Sequence, residues 1–154
     1  MIEIVKPQLD QASVCEPILR LLPEWFGIES AIVHYVQEID RLPTLLAQSQ
    51  EQVVGCLAIK THNKFAAEIY VIAIHPKFHR QGIGRQLVKA AEEALQKSGV
   101  EYLQVKTLGA SRPDPHYAKT RSFYESVGFT PLEEFLNLWD GYPCLQMVKT
   151  LPSC

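Results

Sequence analysis

The hydrophobic positions of the chain change period several times, and each change marks an element. Ile2 to Val5 is a short apolar run closed by Lys6-Pro7, the pattern of a first strand at a sheet edge, since proline cannot donate to a ladder. Between Leu9 and Trp25, Val14, Ile18, Leu21 and Leu22 recur at helical spacing. Pro17 fits such a helix only in its first turn, which leaves the start of the helix open. Ile28, Ala31, Ile32, Tyr35, Val36 and Ile39 form a second helical stripe, with Ser30 placed to cap its beginning. After Leu42-Pro43 the period falls to that of strands. Thr44 to Ala47 and Gln52 to Lys60 predict an antiparallel hairpin across the polar turn Gln48 to Glu51. A further polar turn, Thr61 to Lys64, leads into Ala66 to Ile74. This run is apolar apart from Glu68 and Tyr70, as a central strand covered on both faces would be.

The helical period returns at Gly82, with Ile83, Leu87, Val88, Ala91, Ala94 and Leu95 on one stripe and Gly99 after Ser98 as a left-handed stop. Tyr102 to Leu108 predicts a strand, so strand, helix and strand make a right-handed crossover with two parallel strands. Beyond the loop Gly109 to Pro115, Asp114 and Pro115 have the character of an N-cap and a first helical position. They open a short helix, Tyr117 to Val127, that Gly128 ends. Glu133 to Trp139 and Cys144 to Lys149 predict a closing hairpin around Asp140 to Pro143. The elements add up to an α/β (α+β) chain with a mixed, mostly antiparallel twisted sheet of about six to seven strands and about four helices. No internal repeat, low-complexity tract or linker interrupts them, which predicts one domain over residues 1–154.

Composition narrows the classes. Hydrophobic residues at 47% and charged residues at 21% match a globular chain and leave no room for extended disorder. A formal charge of −2 argues against a nucleic-acid binder, which usually carries a basic stripe. Cys15, Cys56, Cys144 and Cys154 form no C-x-x-C pair, and Cys56 and Cys144 lie in apolar strand-like runs, as buried or incidental thiols of a reducing compartment would. No apolar stretch approaches the ~20 residues that span a bilayer, and no basic start precedes an apolar run. These features predict a cytoplasmic protein with no membrane partner.

The chemistry concentrates in Glu68 to Arg85, where a strand, the turn His75-Pro-Lys-Phe-His79-Arg80-Gln81 and Gly82-Ile83-Gly84 run into a helix. Backbone N–H groups and a helix dipole aimed at one small volume favour an anion such as a phosphate. A P-loop is excluded because the chain contains no Gly-Lys pair. A dinucleotide fingerprint needs a third glycine where Leu87 stands. What remains is a G-x-G at a helix start, which serves either as a plain cap or as a place where a ligand approaches the main chain.

The flanks decide between these. The strand, His75-Pro76 and His79-Arg-Gln-Gly82-Ile-Gly84 resemble the acyl-CoA motif [QR]-x-x-G-x-[GA] of the GNAT superfamily of N-acetyltransferases, with His79 in place of the usual first residue. Phe123-Tyr124-Glu-Ser-Val-Gly128-Phe129 is similar to the family's Y-E-x-x-G-F, and the likeness covers roughly Val53 to Phe129. The resemblance implies an acyl-CoA N-acyltransferase fold in which the central parallel strands splay apart and admit the pantetheine arm of acetyl-CoA. Ile72, Ala73 and Ile74 would line that arm, with main-chain hydrogen bonds from Ile72 and Ile74. His79, Arg80, Gln81, Gly82, Ile83, Gly84 and Arg85 would surround the pyrophosphate, chiefly through N–H groups. An asparagine that the family often places seven residues before the tyrosine is Tyr117 here.

Acetyl transfer to an amine must remove a proton from an ammonium and supply one to a leaving thiolate. The resemblance gives the second task to Tyr124, whose phenol keeps its proton at neutral pH; the plain alternative is packing with Phe123 and Phe129. Glu68 is the candidate base, since it interrupts an apolar strand and alternation puts it on the face of Tyr70, Ile72 and Ile74. The alternative there is an exposed glutamate at the strand's start. His75 and His79 lack ligand-spaced Cys or acidic partners, so no metal is expected. Trp25, Phe26, His34, Tyr35, Arg112, Asp114 and Trp139 are candidates for the acceptor pocket, with Trp25 and Trp139 equally suited to core or interface. The expected acceptor is a primary amine of a small molecule or peptide, with a non-catalytic acyl-CoA-binding module as the alternative. The resemblance also allows a homodimer paired through the C-terminal hairpin.

Overall fold

Seven strands form one sheet in the order β1-β2-β3-β4-β5-β7-β6 in a computed structural model that describes residues 1–153; Cys154 lies outside the described residues. The strands are β1 (Ile2–Gln8), β2 (Thr44–Ser49), β3 (Gln52–Thr61), β4 (Ala66–Ile74), β5 (Tyr102–Leu108), β6 (Thr130–Trp139) and β7 (Tyr142–Thr150). Every neighbouring pair is antiparallel except β4 and β5, which run parallel on either side of a helix. Helices α1 (Ala12–Arg20) and α2 (Glu29–Ile39) cover one face, and α3 (Ile83–Lys97) and α4 (Pro115–Ser126) the other. The sheet therefore has two cores. Leu57, Ile69, Leu87 and Leu103 centre the α3/α4 side, and Leu19, Ile39, Cys56 and Val71 the α1/α2 side. No described helix is long and apolar enough to cross a membrane.

The predicted elements all form, with shifted ends. β1, β6 and β7 each extend beyond the runs that the apolar pattern marked. Pro17 lies in the interior of α1 rather than its first turn. The carbonyl that this proline leaves unpaired belongs to Ser13, which is exposed, so solvent takes the place of the missing bond. The amide of Ala12 instead finds Asp40 Oδ1 at 2.9 Å, so the residue after α2 caps α1. Ser30 does not cap α2, because the helix already begins at Glu29 and Ile28 takes the cap position. The β2–β3 turn tightens to Gln50-Glu51, whose φ values of 51° and 69° give the mirror-image twist that a two-residue hairpin requires. Cys15, Cys56 and Cys144 are free and buried.

Two irregularities in β4 shape everything that follows. Its pairing with β5 covers only Ala66↔Tyr102 through Ile69↔Val105, after which the strands part and leave the edge of Val71 to Ile74 facing a gap. The register with β3 also slips: Val71 pairs with Ala58 and Ile69 with Ile59, so Tyr70 is a bulge residue. Ala67 and Ile69 point to the α3/α4 core, Tyr70, Val71 and Ala73 to the α1/α2 core, and Ile72 and Ile74 back to the α3/α4 core. Strict alternation put Glu68 on the face of Ile72 and Ile74. The bulge corrects that: Glu68 shares its face with Tyr70 and opposes the two isoleucines.

Candidate functional site

A cleft of about 990 Å³ follows the gap between β4 and β5. Its floor includes Ile72, Ala73 and Ile74 of the unpaired β4 edge and Thr107 and Leu108 across from them. Because the two strands have stopped bonding to each other, main-chain groups there are left for a ligand that lies between them.

One end of the cleft is the turn before α3. Arg80 and Gly82 both adopt positive φ, 63° and 79°, where the chain turns sharply into α3. Phe78, His79, Arg80, Gly82, Ile83, Gly84 and Arg85 line this end, while Gln81 stands exposed in the turn outside the lining. His79 Nε2 lies 2.8 Å from the Ile74 carbonyl oxygen, tying the turn back to the strand. That bond requires Nε2 to carry the proton. Trp25 packs edge-on against His79, with ring centroids 6.1 Å apart. The Arg85 guanidinium reaches Ser126 Oγ at 3.2 Å, which joins the start of α3 to the end of α4.

The two glycines have different reasons to be there. A Cβ on Gly82 would meet nothing within 4 Å, so only its φ of +79° demands glycine. At Gly84 a Cβ would lie 3.0 Å from the Phe123 ring, so the space filled is that of a neighbouring side chain rather than of a ligand. Gly84→Ala is therefore expected to destabilise the protein by ~1–2 kcal/mol through overpacking. Urea denaturation checks this; an unchanged midpoint would mean that Phe123 moves aside freely.

Tyr124 lines the middle of the cleft from α4 and is only 5% exposed. Burial, with Tyr35, Tyr117 and Glu68 nearby, pushes its phenol above the ordinary range, so the proton stays on at neutral pH. Tyr124 also packs against Phe123 and Phe129 at 5.5 and 5.6 Å between ring centroids, as the packing reading of this residue expects. Tyr117, in the usual asparagine position, donates its hydroxyl proton to the Trp25 carbonyl at 2.9 Å and fastens α4 to the segment after α1. Trp25 Nε1 adds a bond to Thr120 Oγ1 at 2.9 Å. Asp114 caps α4 as expected, accepting from His116 N and Tyr117 N at 2.9 and 3.1 Å.

Glu68, 7% exposed, opens onto a second cavity of about 360 Å³ on the α1/α2 side. Ala31, Tyr35, Tyr70, Lys106 and Trp139 belong to both cavities, so the two adjoin. Glu68 Oε1 accepts from His62 Nε2 at 2.7 Å and from Lys106 Nζ at 3.1 Å. Sequence reasoning missed both partners. Lys106 carried a signal, since it interrupts an apolar strand that the parallel pairing sets beside the strand of Glu68. His62 sits in a polar turn that gives no hint of its contact. Of the seven acceptor-pocket candidates, His34 lines the smaller cavity, Tyr35 and Trp139 line both, and the other four line the larger. Among the described residues, no group of three or more His, Cys, Asp or Glu side chains is arranged to hold a metal ion.

The arrangement is a slot between parted strands with the Arg80–Gly82 turn and the start of α3 at one end. A protonated phenol stands on the α3/α4 side and a paired carboxylate on the α1/α2 side. Comparisons with known proteins agree in one direction. A family model for the acetyltransferase (GNAT) domain matches residues 40–131. An uncharacterized N-acetyltransferase of Chlorobaculum tepidum is 33% identical over 89 residues, or 58% of this chain. The chain spans about half the length, 50%, of that curated relative. Among solved structures, an acetyltransferase of the GNAT family from Desulfovibrio desulfuricans superposes with a TM-score of 0.86 at 17% identity, covering 99% of this chain and 100% of the other. A GNAT family acetyltransferase from Elizabethkingia anophelis with acetyl-CoA bound gives 0.74 at 21% identity, covering 97% and 98%.

Proposed function

The chain belongs to the GNAT acetyltransferase family, and on that premise we propose that it moves the acetyl group of acetyl-CoA to a primary amine by direct attack in a ternary complex. The observation that carries this reading is the end of β4–β5 pairing at Ile69↔Val105, which leaves a slot that runs from the Arg80–Gly82 turn to Tyr124. In this reading the pantetheine arm lies against Ile72 to Ile74. The pyrophosphate rests on the N–H groups at the start of α3, where the helix dipole adds to the attraction. A structural relative that holds acetyl-CoA supports this choice of donor.

The amine enters from the α1/α2 side. Glu68 takes a proton from the ammonium, directly or through water, and the freed nitrogen attacks the thioester carbonyl. As the C–N bond forms and the C–S bond breaks, Tyr124 gives its proton to the departing sulfur, and the proton lost from nitrogen in this step restores it by way of solvent. An acyl-enzyme route has no suitable nucleophile here. No described cysteine lines the cleft, and burial pushes the Cys144 thiol up to about 11.

Thermal shift and thiol release test the proposal together. Acetyl-CoA at a hundred times its Kd is expected to stabilise the protein by ~2.7 kcal/mol. Thiol release is expected with at least one acceptor among peptides, polyamines, aminoglycosides and amino acids. Stabilisation without transfer to any of them would favour an acyl-CoA-binding module, and no stabilisation would overturn the donor assignment.

A further inference from the structure

The smaller cavity beside Glu68 has an uneven charge that bears on the acceptor. Resting on the acetyltransferase reading above, we propose that this cavity is a subsite for a carboxylate on the acceptor, so that the substrate is an amino acid or an amine of that zwitterionic kind.

The argument begins with the groups that face the cavity. Lys60 comes from β3, Glu68 from β4, Lys106 from β5, His34 from α2 and His62 from the β3–β4 turn, with Tyr35, Tyr70 and Trp139 as its aromatic walls. Among the described residues Glu68 is the cavity's one carboxylate, and its Oε1 already accepts from both His62 and Lys106. Lys60 is left over. Its Nζ lies 5.8 Å from the Tyr70 ring centre, and among the described residues it forms no ion pair. Glu38, the other acid near Tyr70, pairs with Arg41 at 3.7 Å. Arg112, which among the described residues also forms no ion pair, lies over the Tyr142 ring at 4.5 Å on the larger cleft's wall.

A polycationic acceptor would therefore bring extra positive charge to a cavity that already holds more cations than anions. A zwitterion matches it: the ammonium is drawn to the Glu68 side, next to the slot, and the carboxylate to Lys60. A charge-assisted hydrogen bond to Lys60 in this half-enclosed setting is worth about tenfold in affinity.

Initial rates of thiol release with free amino acids, the matched amino-acid amides, spermidine and an aminoglycoside test the proposal. The carboxylate forms are expected to exceed their amides about tenfold or more in kcat/KM. Lys60→Met should shrink that preference to within about threefold and leave the acetyl-CoA thermal shift unchanged, while Lys64→Met, a charge control beside Phe65, should leave the preference intact. Equal or better use of amides or polycations, or a preference that survives Lys60→Met, overturns the subsite. A second measurement does not depend on turnover. N-acetylated amino acids and their amides are titrated into coenzyme-A-saturated protein while the His34 and His62 ring resonances are followed. Carboxylate-specific shifts that vanish in Lys60→Met are expected, and no such shift overturns the proposal. Shifts without any transfer would instead overturn the catalytic reading and support the subsite alone.

Discussion

Tyr124→Phe is expected to reduce kcat at least ~100-fold while the melting temperature and the acetyl-CoA thermal shift stay close to those of the parent protein. The substitution keeps the ring that packs with Phe123 and Phe129 and removes only the hydroxyl, so it separates the acid role from the packing role. A second readout identifies the step. An aryl thioester whose thiol has a low pKa leaves without a proton, so the loss caused by Tyr124→Phe should shrink sharply with such a donor. Full turnover in Tyr124→Phe, or an equal loss with both donors, would remove Tyr124 from the acid role.

In the acid role proposed for it, the same residue would set an alkaline limit. The Tyr124 phenol is held above its ordinary range, so the rate should not fall through its ionisation until beyond pH ~10. Stability behaves differently. In the unfolded chain the phenol ionises near pH ~10, whereas in the folded protein it still holds its proton, so the folded state binds more protons and stability falls as pH rises past that point. Tyr35, Tyr70 and Tyr117 are raised for the same first reason, burial, and add to the trend.

Glu68→Gln is expected to lower kcat/KM about 100-fold near neutral pH. The diagnostic feature is the pH dependence of that loss. A primary ammonium with a pKa near ~10.4 needs a base at pH 7 but has already lost its proton in strongly alkaline buffer, so the penalty should narrow as pH rises. A purely structural role predicts a penalty that does not change with pH. The substitution also takes the charged acceptor from Lys106 and His62, and a stability loss of ~1–3 kcal/mol should accompany it. The Lys106 ammonium is partly solvated and can turn to water, which keeps this cost below that of stranding a fully buried charge.

Local pattern carried much of the fold. The stripe Ile83, Leu87, Val88, Ala91, Ala94 and Leu95 marks α3 because helical spacing depends only on the chain itself, and α3 buries all of these but Ala94, which is half-buried. Asp114-Pro115 marks the start of α4 for a similarly local reason, since a cap is satisfied within the next three residues. Pro17 and Ser30 misled for the opposite reason. Whether a helix tolerates an interior proline depends on whether the freed carbonyl reaches solvent. Ser30 lies inside α2, which begins one residue earlier at Glu29, whose side chain pairs with Arg20 of α1 at 2.7 Å.

The sequence by itself determined the α/β class, the turn with its paired glycines, and the presence of one tyrosine and one glutamate worth suspecting. Each of these follows from residue type and short-range spacing. Only the tertiary structure decided how they face one another. The Tyr70 bulge reverses the alternation beyond Glu68, the loss of β5 pairing opens the slot, and His62 and Lys106 arrive from other strands and turns to hold the carboxylate. A bulge is a property of two strands in register and a slot is a property of two strands that part, so neither is written in the period of one strand alone.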